Sequence, residues 1–261
     1  MVKEYEDLLY EIVQRPRPQA TEEGSKTPYE RQVINDLQDA LACGDITETQ
    51  FRANVKIVFI AGHEDVQHLL SSAFYVMGTR TDIQEKLRSE VLNIGVANPT
   101  REIVDSMPYL TATVFELLRL YPPIQQLINR KASETAILGG DIVISPNTIL
   151  GWTALGVHTN RTVWGDDAIK FIPERWGCSV KAIRAKFRRE NSRGAYIPFN
   201  AHARKCLGQG FALLQIKIVL FELVRCVEWV LDPASKMKLS RGLMKPLGCK
   251  FIFKAREAKV N

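Results

Sequence analysis

Long apolar runs are missing from this chain of 261 residues. No stretch of about 18 or more uninterrupted apolar residues occurs, so no transmembrane helix is expected. The nearest candidate, Leu207 to Leu231, is broken by Lys217, Glu222, Arg225 and Glu228 and reads as a buried core helix. Charge begins at once, in Lys3-Glu-Tyr-Glu-Asp, which is not the pattern of a signal peptide. The five cysteines (Cys43, Cys178, Cys206, Cys226 and Cys249) are odd in number, and no two have metal-ligand spacing. That points to neither a zinc site nor a disulfide framework, and suits a reducing compartment. Low-complexity stretches, internal repeats, a phosphate-cradling glycine loop and a nucleophile elbow are all absent. Histidine is scarce, yet His63-Glu64-Asp-Val-Gln-His68 invites a zinc-protease reading. Positions i and i+5 of a helix lie about 140° apart, so both imidazoles cannot face one metal.

What is present is ordinary for a soluble globular chain: 46% hydrophobic and 25% charged residues, enough to bury a substantial core. Net charge is +6, with a sequence pI near 9.1. Basic residues cluster in Lys181-Ala-Ile-Arg184-Ala-Lys186-Phe-Arg188-Arg189. This run reads either as a solvated insertion or as a docking surface for an acidic partner protein. No nucleic-acid module accompanies the charge.

Periodicity predicts a short helical piece from Tyr5 to Gln14, then a helix from Tyr29 to Ala42 with Val33, Leu37 and Leu41 on one face. A long helix is expected from Phe51 to Gly78, opened by the cap-like Asp45-Ile-Thr47-Glu-Thr-Gln. Gly62 in its middle costs about 1 kcal/mol against alanine, and a kink or bulge would account for it. Further helices are expected at Thr81 to Leu92, Arg101 to Ser106 and Thr111 to Leu120. Leu127 to Thr153 alternates around Gly139-Gly140 and Ser145-Pro146-Asn147 turns, so it reads as a small antiparallel sheet. The remainder reads as irregular until Gln209 opens the last long helix, to about residue 230. Lys238 to Lys254 reads as strands with a turn at Gly242.

The most informative stretch is Phe199-Asn-Ala-His-Ala-Arg204-Lys-Cys206-Leu-Gly208. It sets a cysteine just before a helix start, where the positive end of the helix favours an anion, with an arginine two residues away. Such a thiolate-presenting loop is chemically suited to an axial haem ligand. The loop resembles the haem-binding signature of the cytochrome P-450 superfamily, matched at Phe199, Arg204, Cys206 and Gly208. His202 stands where the family usually has glycine, and histidine tolerates positive φ less well.

Other stretches carry the same resemblance, in the family's order. Phe115-Glu116-Leu-Leu-Arg119-Leu-Tyr-Pro122-Pro123 holds the Glu-x-x-Arg motif, and Phe171-Ile-Pro173-Glu174-Arg175-Trp176 resembles the Pro-Glu-Arg segment. Between them, His158, Trp164-Gly165, Asp167-Ala168 and Phe171 follow the family's spacing. Ala61-Gly62-His63-Glu64-Asp65 resembles the oxygen-binding stretch of the distal helix, with Asp65 in place of the usual threonine. The wording of that stretch and of the cysteine loop resembles fungal enzymes of the dityrosine-synthesis type.

The resemblance implies a mainly α fold with a small antiparallel β portion, the C-terminal part of the P-450 architecture. It implies one partial domain over residues 1–261, with the distal helix at about 47–78 and the Glu-x-x-Arg helix at about 111–120. The cysteine loop would span 199–208 and the last long helix about 209–230. The cofactor would be haem b (iron protoporphyrin IX), ligated by Cys206, with Arg204 and Arg130 on its propionates and Phe199, Gly208, Ala61 and Gly62 around it. Glu116, Arg119 and Arg175 would form a structural triad, and Glu64 and Asp65 would relay protons. Gln125, Gln126, Leu127, Ile128 and Met244 would face a small organic substrate, and the paired glutamines suggest an amino-acid-like one. The activity would be monooxygenation, with electrons from NADPH through a reductase. The alternative is a truncated or degenerate member without catalysis of its own. A full-length parent would sit on the cytoplasmic face of the endoplasmic-reticulum membrane.

Overall fold

The structure is a computed structural model that describes Glu11, Val13 and residues 33–236, 238–239 and 246–256. The chain divides into two compact units, Met1–Glu64 and Asp65–Asn261. The helical piece expected at Tyr5 to Gln14 lies, apart from Glu11 and Val13, outside the described residues.

In the first unit, helix α1 (Val33–Ala42) is followed by a tight reversal in which Gly44 takes φ 79°. Helix α2 (Glu48–Thr79) then opens on a reciprocal capping box: the Gln50 N–H donates to Thr47 Oγ1, and the Thr47 N–H donates to Gln50 Oε1 at 2.8 Å. Ile34, Leu37, Leu41 and Ile46 pack on Phe51 and Val55. The inward face of α1 is therefore set by Ile34 rather than by Val33, which is exposed. Helix α2 runs without interruption through Gly62, so the bulge expected there does not occur.

The second unit is built around helix α5 (Pro108–Leu120), in which every residue from Leu110 to Leu120 is buried. A helix covered on all sides is a core element, and Val114, Leu117, Leu118 and Leu120 supply the apolar surface. Pro108 occupies the first turn, and the Glu90 carboxylate accepts from the N–H groups of Tyr109 and Leu110 at 2.7 Å each. Pro122 and Pro123 follow its end, where neither could continue the helical bonding. Around α5 lie α3 (Thr81–Ile94), α4 (Arg101–Ser106), the C-terminal part of α2 through Ala73, Val76 and Met77, and α9 (Gln209–Cys226).

The region expected to form one small sheet contains two separate antiparallel pairs. Strand β1 (Gln126–Lys131) pairs with β4 (Ile149–Thr153), with a bulge between Ile128 and Arg130, and β2 (Ala136–Leu138) pairs with β3 (Ile142–Ile144). The stretch read as irregular is also ordered. It holds α6 (Ala154–His158), α7 (Arg161–Trp164), a 3-10 turn (Pro173–Trp176) and the 13-residue α8 (Val180–Ser192). The Ser179 hydroxyl caps α8, and Ile183, Phe187 and Glu190 face inward; Lys181, Arg184, Arg188 and Arg189 of the basic run lie on the outer face of this amphipathic helix, while Lys186 is half-buried.

The last long helix ends at Cys226, four residues earlier than expected. Val227–Leu231 forms strand β5, paired with β8 (Phe251–Ala255), because Trp229 is buried opposite Phe253 and β-branched valines flank it. Lys238–Leu239 (β6) and Pro246–Leu247 (β7) form a short ladder. The expected Gly242 turn lies outside the described residues. No described helix is long and apolar enough to cross a membrane.

Candidate functional site

Helix α5 carries two charged residues into the core, and both are fully paired. Glu116 and Arg119, three residues apart on one face, form a two-point ion pair with both contacts at 2.8 Å and no exposure of either side chain. Arg175, from the 3-10 turn, adds its Nε to Glu116 Oε1 at 2.8 Å. The Ile172 N–H donates to the same oxygen at 2.9 Å, and the Trp176 indole N–H donates to Oε2 at 3.0 Å. Five donors therefore converge on one carboxylate, the density of bonding a buried ion needs to offset desolvation.

The remaining donors of Arg119 are used as well. Arg119 Nη1 donates to the carbonyls of His158 (2.8 Å) and Ala168, and Nη2 to that of Lys170 (3.1 Å). Arg175 reaches Asp167 Oδ1 at 3.1 Å, which lowers the Asp167 pKa from the ordinary carboxylate value. Trp164 lies over the Arg119 guanidinium at 5.0 Å, and Lys186 stands over the Trp164 and Trp176 rings while donating to the Arg175 carbonyl. Burial, with Arg175 beside it, pushes the Lys186 ammonium pKa down. The partners Trp176 and Ile172 were not foreseen; Trp176 directly follows Arg175 in sequence, and that adjacency was the available signal.

The cysteine loop starts from a second set of contacts to α5. Tyr196 is fully buried and its hydroxyl donates to the Phe115 carbonyl at 2.8 Å. Burial raises its phenol pKa well above the usual value. From there the chain turns tightly: Asn200 and His202 take φ values of 61° and 53°, and His202–Arg204 forms a 3-10 turn. The Cys206 N–H donates back to the Phe199 carbonyl at 2.8 Å, closing the loop. His202 thus occupies the left-handed backbone region that glycine would take without strain.

Cys206 is exposed at the start of α9, beside Gly208, the residue that caps that helix. Leu207 is fully exposed and Phe211, one turn further, is 63% exposed. A Cβ placed on Gly208 would stand 3.9 Å from Cys206 Sγ. A soft sulfur donor beside uncovered apolar side chains fits a flat, largely apolar cofactor with a thiolate-binding metal. Arg204 is exposed and Phe199 half-buried against the core.

The other candidate residues are placed as follows. Ala61 is exposed and Gly62 and Glu64 are half-buried in the first unit; Asp65, half-buried, begins the second. Open space surrounds a Cβ built on Gly62. The His63 ring lies against Phe59, 4.9 Å between centroids, with Nδ1 at 2.8 Å from the Phe59 carbonyl. Gln125 is tied by its carbonyl to the Ala154 N–H at 2.7 Å, while Gln126, Leu127 and Arg130 lie on β1. Ile128 pairs with Gly151 through the backbone, and Met244 lies outside the described residues. Among the described residues no group of three or more His, Cys, Asp or Glu is placed to hold a metal ion.

Comparison with known proteins matches residues 1–260 to the family model described as Cytochrome P450. A cytochrome P450 monooxygenase named xanG, from Aspergillus fumigatus, is 49% identical over 240 residues, covering 92% of this chain and 44% of the relative. Cytochrome P450-DIT2 of Saccharomyces cerevisiae is 37% identical over 206 residues, covering 78% of this chain and 41% of the relative. A cytochrome P450 of Panax ginseng, CYP749A22, is 30% identical over 232 residues, with 87% and 43% covered. The chain spans less than half the length of each of these relatives.

Proposed function

The chain belongs to the cytochrome P450 family, and from that premise we propose that it carries the thiolate side of a haem-dependent monooxygenase. The observation that supports this best is Cys206: an exposed sulfur at the start of α9, held by a closed loop and flanked by the uncovered Leu207 and Phe211. Haem b bound there would supply dioxygen activation and the insertion of one oxygen atom into an organic substrate.

This chain's own residues then divide the remaining work. Cys206 donates its sulfur to the metal, and Arg204 and Arg130 bind the propionate carboxylates. Phe199 borders the cofactor, as do Gly208, Ala61 and Gly62, whose small size leaves it room. Glu64 and Asp65 accept and pass protons through water; with no hydroxyl at position 65, a carboxylate takes that part. Glu116, Arg119 and Arg175 hold the surrounding fold. Gln125, Gln126, Leu127, Ile128 and Met244 contact a small organic, amino-acid-like substrate. The basic outer face of α8, with Lys181, Arg184 and Arg188, offers a docking surface to an acidic NADPH-dependent reductase. The parent protein acts at the cytoplasmic face of the endoplasmic reticulum.

A second reading is that this chain binds the cofactor's thiolate side but turns nothing over by itself. It is favoured by the run Ile57-Val58-Phe59-Ile60, all four exposed, which presents apolar surface around most of one turn of α2. One experiment tests the first reading: express the chain with haem precursor, reduce it, add carbon monoxide and record the Soret band. A thiolate-type red shift that disappears in Cys206→Ala is expected. A chain that folds but takes up no haem refutes the proposal. A shift without substrate-dependent oxidation favours the second reading.

A further inference from the structure

His158 is fully buried at the end of α6, yet none of the roles assigned above uses it. Both ring nitrogens are engaged. Nδ1 lies 3.1 Å from the Arg119 carbonyl, and Nε2 accepts from the Ile197 N–H at 2.8 Å. A carbonyl can only accept and an N–H can only donate, so the ring is neutral with its proton on Nδ1. The contact with Arg119 is reciprocal, because the Arg119 guanidinium donates to the His158 carbonyl. One end of the imidazole therefore rests on the Glu116–Arg119–Arg175 cluster. The other holds the strand of chain that leads into the cysteine loop.

That lead-in is short. The Ile197 carbonyl accepts from Asn200, and the Phe199 carbonyl, two residues past Ile197, accepts from Cys206. Tyr196 beside it is fixed twice, by its hydroxyl to Phe115 and by its carbonyl to the Asn191 amide at 2.8 Å, and its ring lies 5.0 Å from that of His158. Of these ties, only the imidazole bonds the lead-in to a member of the ion cluster.

We propose that His158 is a positioning residue: a neutral two-ended strut that sets the cysteine loop against the Glu-x-x-Arg helix and so fixes where Cys206 presents its sulfur. This rests on the haem-thiolate reading for its consequence, while the strut itself is testable without cofactor. The lone pair and the N–H sit on opposite sides of one rigid ring, a combination that phenylalanine lacks. Glutamine offers one acceptor and one donor on a longer stem, and asparagine is too short to reach both partners.

The test compares the purified wild-type chain with His158→Phe, His158→Gln and His158→Asn. Hydrogen exchange across residues 196–206, measured without haem, is expected to quicken about tenfold in His158→Phe and His158→Asn and less in His158→Gln, with α3 unchanged. With haem added, the thiolate-type share of the reduced carbon-monoxide complex is expected to fall several-fold in the same two variants and to recover in His158→Gln. If His158→Phe does not fold, the pair His158→Asn and His158→Gln decides the matter. Unchanged exchange in 196–206 overturns the strut. Faster exchange with an undiminished thiolate share overturns its control of Cys206. A wild-type chain with no thiolate signal refutes the haem reading, and with it that control, while the exchange result still decides the strut.

Discussion

Glu116→Gln is the perturbation that probes the ion cluster most directly. The substitution keeps the shape of the side chain and removes its charge, leaving Arg119 fully buried and Arg175 only 9% exposed. Breaking a buried pair by neutralising one member costs about 3–5 kcal/mol, because the remaining charge stays out of water. Here Arg119 loses its counter-ion and Arg175 keeps only Asp167, which is 44% exposed, and the new amide turns a donor toward at least one of the N–H groups it faces. Set against a total stability of about 5–15 kcal/mol, this removes a large fraction. The corresponding fall in Tm is about 6–20 °C for a domain of this size. Urea unfolding followed by tryptophan fluorescence measures it well, since Trp164 and Trp176 adjoin the cluster. The double variant Glu116→Leu/Arg119→Leu removes both opposing charges and should cost about 2 kcal/mol less than the sum of the two single leucine variants. A Glu116→Gln loss below about 1 kcal/mol, or additivity within about 0.5 kcal/mol in the leucine cycle, would refute the reasoning.

Three further outcomes follow from other contacts. His202→Gly should raise stability by about 1 kcal/mol, because φ 53° strains a residue with a Cβ; His202→Ala keeps the Cβ and should gain nothing in the same thermal melt. Gln84→Leu should cost about 2–4 kcal/mol in urea, since Gln84 donates to the Trp229 carbonyl and accepts from its N–H, and both groups are buried. The third concerns acid. Burial lowers the His158 pKa from the usual 6.5 to about 3, with the adjacent Arg119 charge acting in the same direction and the bond to the Arg119 carbonyl opposing it. The folded state keeps the ring neutral, so its contribution is present above pH 6.5 and is lost as pH falls toward 3. The slope is about 1.4 kcal/mol per pH unit, or roughly 2–3 kcal/mol between pH 6 and pH 4. His158→Gln should remove one proton's worth of that slope in stability measured across this window. An unchanged slope would refute the assignment of this acid sensitivity to His158.

Features with local spacing were legible in the sequence. Glu116 and Arg119 share a helix face by arithmetic, and Thr47-Glu-Thr-Gln50 spells a capping box in four residues. Helix α8 was hidden because charge dominates its composition. Only Ile183, Phe187 and Glu190, at intervals of four and three, mark the inward face, and a carboxylate at the third position obscures the stripe. The end of α9 was misplaced because no glycine or proline marks it. The apolar run continues past Cys226, and the change from helix to strand is decided by pairing with Phe251–Ala255, far along the chain. The strut at His158 was out of reach for a different reason. Its partners are a backbone carbonyl and a backbone N–H, which every residue has and no sequence spells out.

The same distinction explains why a neutral ring suits the junction between cluster and loop. Within the cluster, charge is matched: Glu116 meets two guanidinium groups, and Arg175 also meets Asp167. A further cation next to Arg119 would face like charge in a medium that screens it poorly, at a cost of several kcal/mol. An added carboxylate could accept the Ile197 N–H but would repel the Arg119 carbonyl. Imidazole satisfies both backbone groups while adding no charge, and it does so only while its proton stays on Nδ1. A second proton would turn Nε2 from acceptor to donor against the Ile197 N–H. The lead-in to Cys206 would then be pushed away from α5 rather than merely released. Acid should therefore loosen residues 196–206 in hydrogen exchange before it unfolds α5, and that order of events separates a strut from a general loss of packing.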